Sequence, residues 1–305
     1  MVAPALSSPT SVGARLGTKV AAYVALTKPR IIELLLVTTV PTMVVAADGV
    51  PSIWLMVVTV VGGTLSAGGA NAINMYVDRD IDAVMERTQG RPLVTGVITP
   101  RSALIFAVGI EIASFLLLWL AVNLLSAVLA LAGCVFYVFV YTLWLKRSSR
   151  QNIVIGGAAG AAPVLVGWAA VTNDLSISAW VLFGVIFLWT PPHFWALAIK
   201  YKDDYARADV PMLPSVASAR STTNQILAYT VAVWALTLVF GVTASMGLLY
   251  WVSAVVLGAV FTAMAVDLRR NGSPSRAIRL FTFSITYITL LFGAMTADVI
   301  IRYGW

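Results

Sequence analysis

Long apolar runs alternate with short polar stretches along the chain. A helix that crosses a bilayer needs about 20 mostly apolar residues. Runs of that kind lie at 31–47, 53–76, 103–121, 123–145, 153–172, 177–199, 222–243, 247–266 and 279–300. The pattern predicts an all-α, polytopic membrane protein of about nine transmembrane helices. The third and fourth runs follow each other closely, as do the seventh and eighth. Ahead of them, residues 1–25 read as a loose N-terminal arm leading into VAAYVALTKPR, and residues 26–305 as a single domain. The arm has no short apolar segment followed by a small-residue cleavage site, so it does not read as a secretory signal.

Composition supports the membrane class. The chain has 305 residues, 60% of them hydrophobic and only 11% charged, against roughly 25% charged in soluble domains. The net charge is +7, from 20 Lys+Arg and 13 Asp+Glu. Its distribution argues for topology and against a nucleic-acid partner. One alternating set of connections comprises the arm, 77–102, 146–152, 200–221 and 267–278. With Arg279 at its edge, it holds nineteen of the 20 bases, and the other set holds only Arg302. Cytoplasmic loops carry the Lys/Arg excess, so the N-terminus is expected in the cytoplasm, the C-terminus outside and the helix count odd. The one cysteine, Cys134, excludes an intrachain disulfide and reads as a small buried hydrophobe.

The basic connections also hold most of the acids. In NAINMYVDRDIDAVMERTQGRP, at 71–92, Asn74, Asp78 and Asp82 recur every four residues. On a helix they stack along one face, with Asp80 on roughly the opposite side. Arg87 and Arg91 repeat the same step. Carboxylates and an amide in a row offer hard oxygen ligands of the kind that hold Mg²⁺ together with substrate phosphates. Arginines nearby can grip phosphate oxygens in pairs. A solvated acidic helix cap is the plainer alternative, and it suits one aspartate better than three stacked ligands.

The second polar segment, WTPPHFWALAIKYKDDYARADVPMLP, covers 189–214. Pro191 and Pro192 are expected to break or kink a transmembrane helix. His193, the only histidine, follows about two turns inside the membrane surface, where an ionisable residue is a functional candidate; a hydrogen-bonded structural histidine is the alternative. Asp203, Asp204 and Asp209 are spaced irregularly, with Asp204 and Asp209 about 140° apart on a helix. Glu111 is expected mid-membrane, facing the bundle interior, and Glu33 near the first helix end. The small-residue stretch GGAAGAAPVLVGW, at 156–168, reads as close helix contact.

The NxxxDxxxD pattern of Asn74, Asp78 and Asp82 resembles the first motif of the UbiA superfamily of intramembrane prenyltransferases. TKPRI (27–31), MERTQGRPL (85–93), YTLWLKRSSRQNIVIGGAAGAAP (141–163), WTPPHFWALA (189–198) and DYARADVPMLP (204–214) are similar to its haem-farnesylating branch. The resemblance covers roughly 25–300 and implies a UbiA-type helical bundle. It implies farnesyl diphosphate and haem B as substrates, haem O for terminal oxidase assembly as product, and Mg²⁺ held by Asn74, Asp78, Asp82 and Asp204. Arg87, Arg91, Lys146, Arg147 and Lys202 are the expected diphosphate-binding bases, and His193 joins the acids as a candidate catalytic residue. Where the superfamily carries a second acid after Asp204, this chain has Ala208. The expected setting is the plasma membrane, with active-site loops in the cytoplasm and a downstream haem-processing or oxidase assembly protein as partner. A quinone or other aromatic acceptor, a transporter and a noncatalytic assembly scaffold are the alternatives.

Overall fold

The computed structural model describes residues 12–304 and, within them, every side chain except those of 12–18 and 30–36. Glu33, Arg15 and Arg30, and the first eleven residues of the arm, therefore lie outside the described side chains. In chain order the helices are α1 (Val12–Leu26), α2 (Pro29–Ala46), α3 (Ile53–Val77), α4 (Arg79–Val84), α5 (Pro100–Ala121), α6 (Leu124–Val135), α7 (Lys146–Ser148) and α8 (Asn152–Thr172). There follow α9 (Ile177–Lys200), α10 (Lys202–Arg207), α11 (Leu213–Val216), α12 (Ala219–Thr243), α13 (Leu248–Asn271) and α14 (Pro274–Tyr303). A π-helical segment, Phe136–Leu145, joins α6 to α7, and a single 3-10 turn spans Glu86–Thr88. No strand occurs among the described residues.

Eight helices among the described residues are long and apolar enough to cross a membrane, with α6, the π segment and α7 counted as one span, Leu124–Ser148. The first predicted run, 31–47, falls in α2, where Val37–Ala46 is a shorter apolar helix. Polar caps explain why most spans start where they do. Ser52, Thr99, Asn123, Ser176, Ser218 and Ser273 each accept a hydrogen bond from the backbone N–H three residues on, and such caps contribute about 1 kcal/mol each. The arm is not loose from Lys19 onward: Ala22 and Leu26 of α1 are buried with Ala72 and Met75 of α3 and Ala103 and Ala107 of α5. Apolar contact along a helical stripe outweighs the arm's Ser- and Gly-rich composition.

The spans form a closed ring. α2 packs on α3, α3 on α5, α5 on α6, α6 on α8, α8 on α9, α9 on α12, α12 on α13 and α13 on α14, and α14 returns to α2. α8 also reaches across to touch α2 and α3. Its small residues permit this, since a Cβ on Gly167 would sit 2.9 Å from the Thr39 carbonyl oxygen and one on Gly157 3.0 Å from Thr190. Pro191 and Pro192 do not break α9, which runs as one helix through both. The Thr190 hydroxyl binds the Ile186 carbonyl at 2.9 Å, and packing on α8, α12 and α14 holds the rest.

The bases and acids of the polar connections gather at one end of the ring. At the other end a single carboxylate organises the turn into α13. Asp298 of α14, 3% exposed, accepts from Gly247 N at 2.6 Å and from Tyr250 N at 3.3 Å. It caps a helix whose own N-cap residue, Gly247, has no side chain to do so. Asp298→Ala is expected to cost about 1–2 kcal/mol, read as a lower unfolding midpoint in detergent with turnover per folded molecule unchanged.

Candidate active site

The first acidic motif is built where α3 ends. Asp78 leaves the helical region (φ −84°, ψ 5°), closing α3 and opening α4. The expected single straight face is therefore interrupted at its middle residue. The backbone ladder nevertheless continues: Asp78 N donates to Asn74 O at 2.9 Å and Asp82 N to Asp78 O at 2.8 Å. Asn74, Asp78 and Asp82 end up 2%, 0% and 2% exposed, which excludes a solvated acidic cap.

Each of these three side chains is met by a cation. Lys28 Nζ donates to Asn74 Oδ1 at 2.7 Å, and Asn74 Nδ2 donates to Asp78 Oδ2 at 2.7 Å. Lys146 is ion-paired with Asp78, and Arg147 lies 3.7 Å from its other oxygen. Arg91 binds Asp82 at 2.5 Å. Asp80 is exposed at the edge of this network, with both oxygens on Arg147 at 2.7 Å. That hydrogen bonding outweighs the opposing effect of burial and holds the Asp80 carboxyl down at about 2. Burial lowers Lys28 to about 7, aided by Arg91 and Lys146 nearby.

The π segment sets one wall. Its wide turn lets the Thr142 hydroxyl reach the Tyr137 carbonyl five residues back at 2.8 Å while accepting from Asn74 Nδ2 at 3.1 Å. π turns recur at functional sites. The second acidic segment closes over the first. Asp204, on α10 and 7% exposed, pairs with Arg207, which also reaches Glu86 at 3.3 Å. Arg87 lies over the Tyr201 ring at 5.6 Å and beside Tyr205, whose phenol burial pushes upward. Ile81, Met85 and Val210 form an apolar seam between the two segments.

Asn74, Asp78, Asp82, Asp204, Arg87, Arg91, Lys146 and Arg147 therefore share one end of the bundle. Lys202 and Asp203 are exposed on the first turn of α10. Asp209 is exposed in a left-handed turn (φ 53°). His193 lies apart, buried on α9. Its Nδ1 is 2.7 Å from Ser284 Oγ, and its ring stacks on Trp189 at 4.2 Å and meets Phe281 at 4.7 Å. With the Ser284 hydroxyl donating to the Phe281 carbonyl, Nδ1 is left to donate to Ser284 Oγ, and Nε2 has no hydrogen-bond partner among the described residues. Glu111 faces the bundle interior, accepting from Ser66 Oγ at 3.0 Å. Lys28, Thr142, Tyr205 and Arg207 also border this cluster. All four lie within the family-like segments TKPRI, YTLWLKRSSRQNIVIGGAAGAAP and DYARADVPMLP, but nothing in the sequence singled them out there.

The donor set fits Mg²⁺. Its oxygens are hard, and Asp78 Oδ1 is buried without a hydrogen-bond partner. No three His, Cys, Asp or Glu converge into a ready cage among the described residues.

The model of the UbiA prenyltransferase family matches residues 35–290. A protoheme IX farnesyltransferase of Frankia alni is 55% identical over 94% of this chain and 100% of its own length. Protoheme IX farnesyltransferase 1 of Saccharopolyspora erythraea is 54% identical over 91% of this chain and 89% of its own. Among solved structures, a digeranylgeranylglyceryl phosphate synthase aligns with a TM-score of 0.77 at 16% identity, covering 93% of this chain and 99% of its own. A UbiA homolog from Archaeoglobus fulgidus bound to DMAPP and Mg²⁺ aligns with a TM-score of 0.62 at 18% identity, covering 92% and 99%. Sequence, bundle and acidic motif agree: the chain is a multi-pass membrane protein that belongs to the UbiA prenyltransferase family.

Proposed function

We propose that the protein transfers the farnesyl group of farnesyl diphosphate to a vinyl group of haem B, giving haem O. The observation that carries the prenyl-transfer reading is the buried set of Asn74, Asp78, Asp82 and Asp204, ringed by Lys28, Lys146, Arg147, Arg91 and Arg207. Separate acids and bases of this kind suit a metal-bound diphosphate. The haem acceptor is supported by the names of the relatives and by the WTPPHFWALA segment.

Asn74, Asp78, Asp82 and Asp204 would hold Mg²⁺, which when bound neutralises the leaving diphosphate. The chain's own bases do the rest of the electrostatic work. Lys146, Arg147 and Arg91 already sit on the acids and can turn their donors to phosphate oxygens as the C–O bond of the donor breaks. The vinyl carbon of the acceptor then forms the new C–C bond with the allylic carbon. A water adds to the resulting cation and releases one proton, leaving the hydroxyethyl-farnesyl arm. The apolar seam of Ile81, Met85 and Val210 limits early access of water, which would otherwise quench the farnesyl cation. His193, with Nε2 free, is the proposed acceptor-side residue, and Lys202 is an outer base met by the arriving diphosphate.

The charge distribution supports active-site loops in the cytoplasm of a plasma-membrane protein, where a haem-processing or oxidase assembly protein would receive the product. The test is a haem extract from cells with and without the protein, alongside membranes given labelled farnesyl diphosphate with either haem B or hydroxybenzoate. A farnesylated haem appearing only with the protein is the expected result. Label moving to hydroxybenzoate and not to haem overturns the acceptor in favour of an aromatic one.

A further inference from the structure

Asn152 opens α8 with a side chain that is 0% exposed, yet neither its Oδ1 nor its Nδ2 has a hydrogen-bond partner. Native structures rarely bury a whole carboxamide unpaired, and where they do a water, ion or ligand is the usual explanation. Its backbone is anchored: Asn152 N donates to Ser149 O at 3.1 Å. The turn at 149–151 hangs directly from α7, which carries Lys146 and Arg147.

Position defines where the amide points. Gly156 lies one turn further along the same face of α8, and a Cβ there would overlap the Tyr141 ring. Tyr141 stacks on Tyr137 at 5.3 Å on the π segment, one turn before Lys146, the partner of Asp78. The amide thus faces the flank of the site that Tyr141 and Lys146 border. It does so from the first turn of a 21-residue helix, where orphan N–H groups and the helix dipole favour an anion. The nearest charges along the chain, Lys146, Arg147 and Arg150, are all basic.

We infer that Asn152 binds the diphosphate head group of the prenyl donor, its Nδ2 donating to a phosphate oxygen beside the first turn of α8. This rests on the prenyl diphosphate reading above and adds a contact outside the two acidic motifs. Oδ1 remains to accept from a water that accompanies the anion.

The test uses the full-length protein in detergent and its Asn152→Ala and Asn152→Asp variants. Calorimetry with inorganic diphosphate in the presence of Mg²⁺ gives the affinity, and steady-state assays give KM for farnesyl diphosphate and for haem B. Asn152→Ala is expected to weaken diphosphate binding about tenfold, one charge-assisted hydrogen bond, and to raise the farnesyl diphosphate KM in parallel. Asn152→Asp, which puts a negative charge against the anion, is expected to weaken it further. The haem B KM and the ligand-free unfolding midpoint of Asn152→Ala should not fall outside the wild-type range. Unchanged diphosphate affinity in both folded variants overturns the inference. So does an effect confined to the haem KM, or a loss of stability with affinity intact. If the wild type binds diphosphate through Asn152 but prenylates no haem, the acceptor reading fails and the inference stands. If the wild type binds no diphosphate, both fail.

Discussion

Asp78→Ala is expected to lower kcat/KM for prenyl transfer by a factor on the order of 10³, the upper range for removing one preorganised electrostatic group. Asp78 is the hinge of the site: fully buried, the cap shared by α3 and α4, and the partner of both Lys146 and Arg147. Its loss removes an oxygen of the proposed metal set and leaves a mostly buried lysine without its counter-charge. Breaking a buried pair on one side commonly costs about 3–5 kcal/mol, so the unfolding midpoint should fall as well. Asp78→Asn separates the two effects, because it keeps the shape and the hydrogen bond to Asn74 but not the charge. The measurement is turnover in membranes with added Mg²⁺, normalised to folded protein. Near-normal turnover of either variant would sink the assignment of Asp78 to the metal and diphosphate.

Asp204→Ala is expected to cost about 10²-fold in kcat/KM, with Arg207→Ala milder. Asp204 is the one buried acid of the second segment, and Arg207 holds it while bridging to Glu86. Removing Asp204 frees Arg207, which is about half exposed and finds water, so stability changes little. The double variant should be no less active than Asp204→Ala alone if Arg207 acts by positioning the carboxylate. A double variant that loses a further tenfold would instead give Arg207 its own contact with substrate. Asp209→Ala, in the exposed left-handed turn, serves as the control that leaves turnover unaltered.

The bundle was legible because its signal is long: apolar runs and a one-sided distribution of bases leave few alternatives. Eight of the predicted runs match spans among the described residues. The site was legible in its ligands but not in its connections. Asn74, Asp78 and Asp82 were readable from spacing, but the break at Asp78 was not, since four-residue periodicity carries no record of a single backbone torsion. The hydrogen bond of Lys28 to Asn74 and the ion pair of Arg207 with Glu86 depend on how distant segments meet, which no local pattern encodes. The continuity of α9 through Pro191 and Pro192, where the sequence offers a break or a kink, is hidden for a related reason. Local propensity registers two missing N–H donors, while packing on three neighbouring helices is set by the fold.

The bridge from Arg207 to Glu86 joins residues 121 positions apart. During synthesis, the half-chain carrying Asn74, Asp78 and Asp82 enters the membrane long before α10 exists. Until α10 arrives, the first acidic segment lacks Asp204, the Tyr205 contact with Arg87 and the apolar seam from Val210. A nascent chain therefore holds an open site able to attract cations but not to shelter an allylic cation from water. Catalytic competence becomes the last property acquired, tied to the arrival of α10 and completion of the ring.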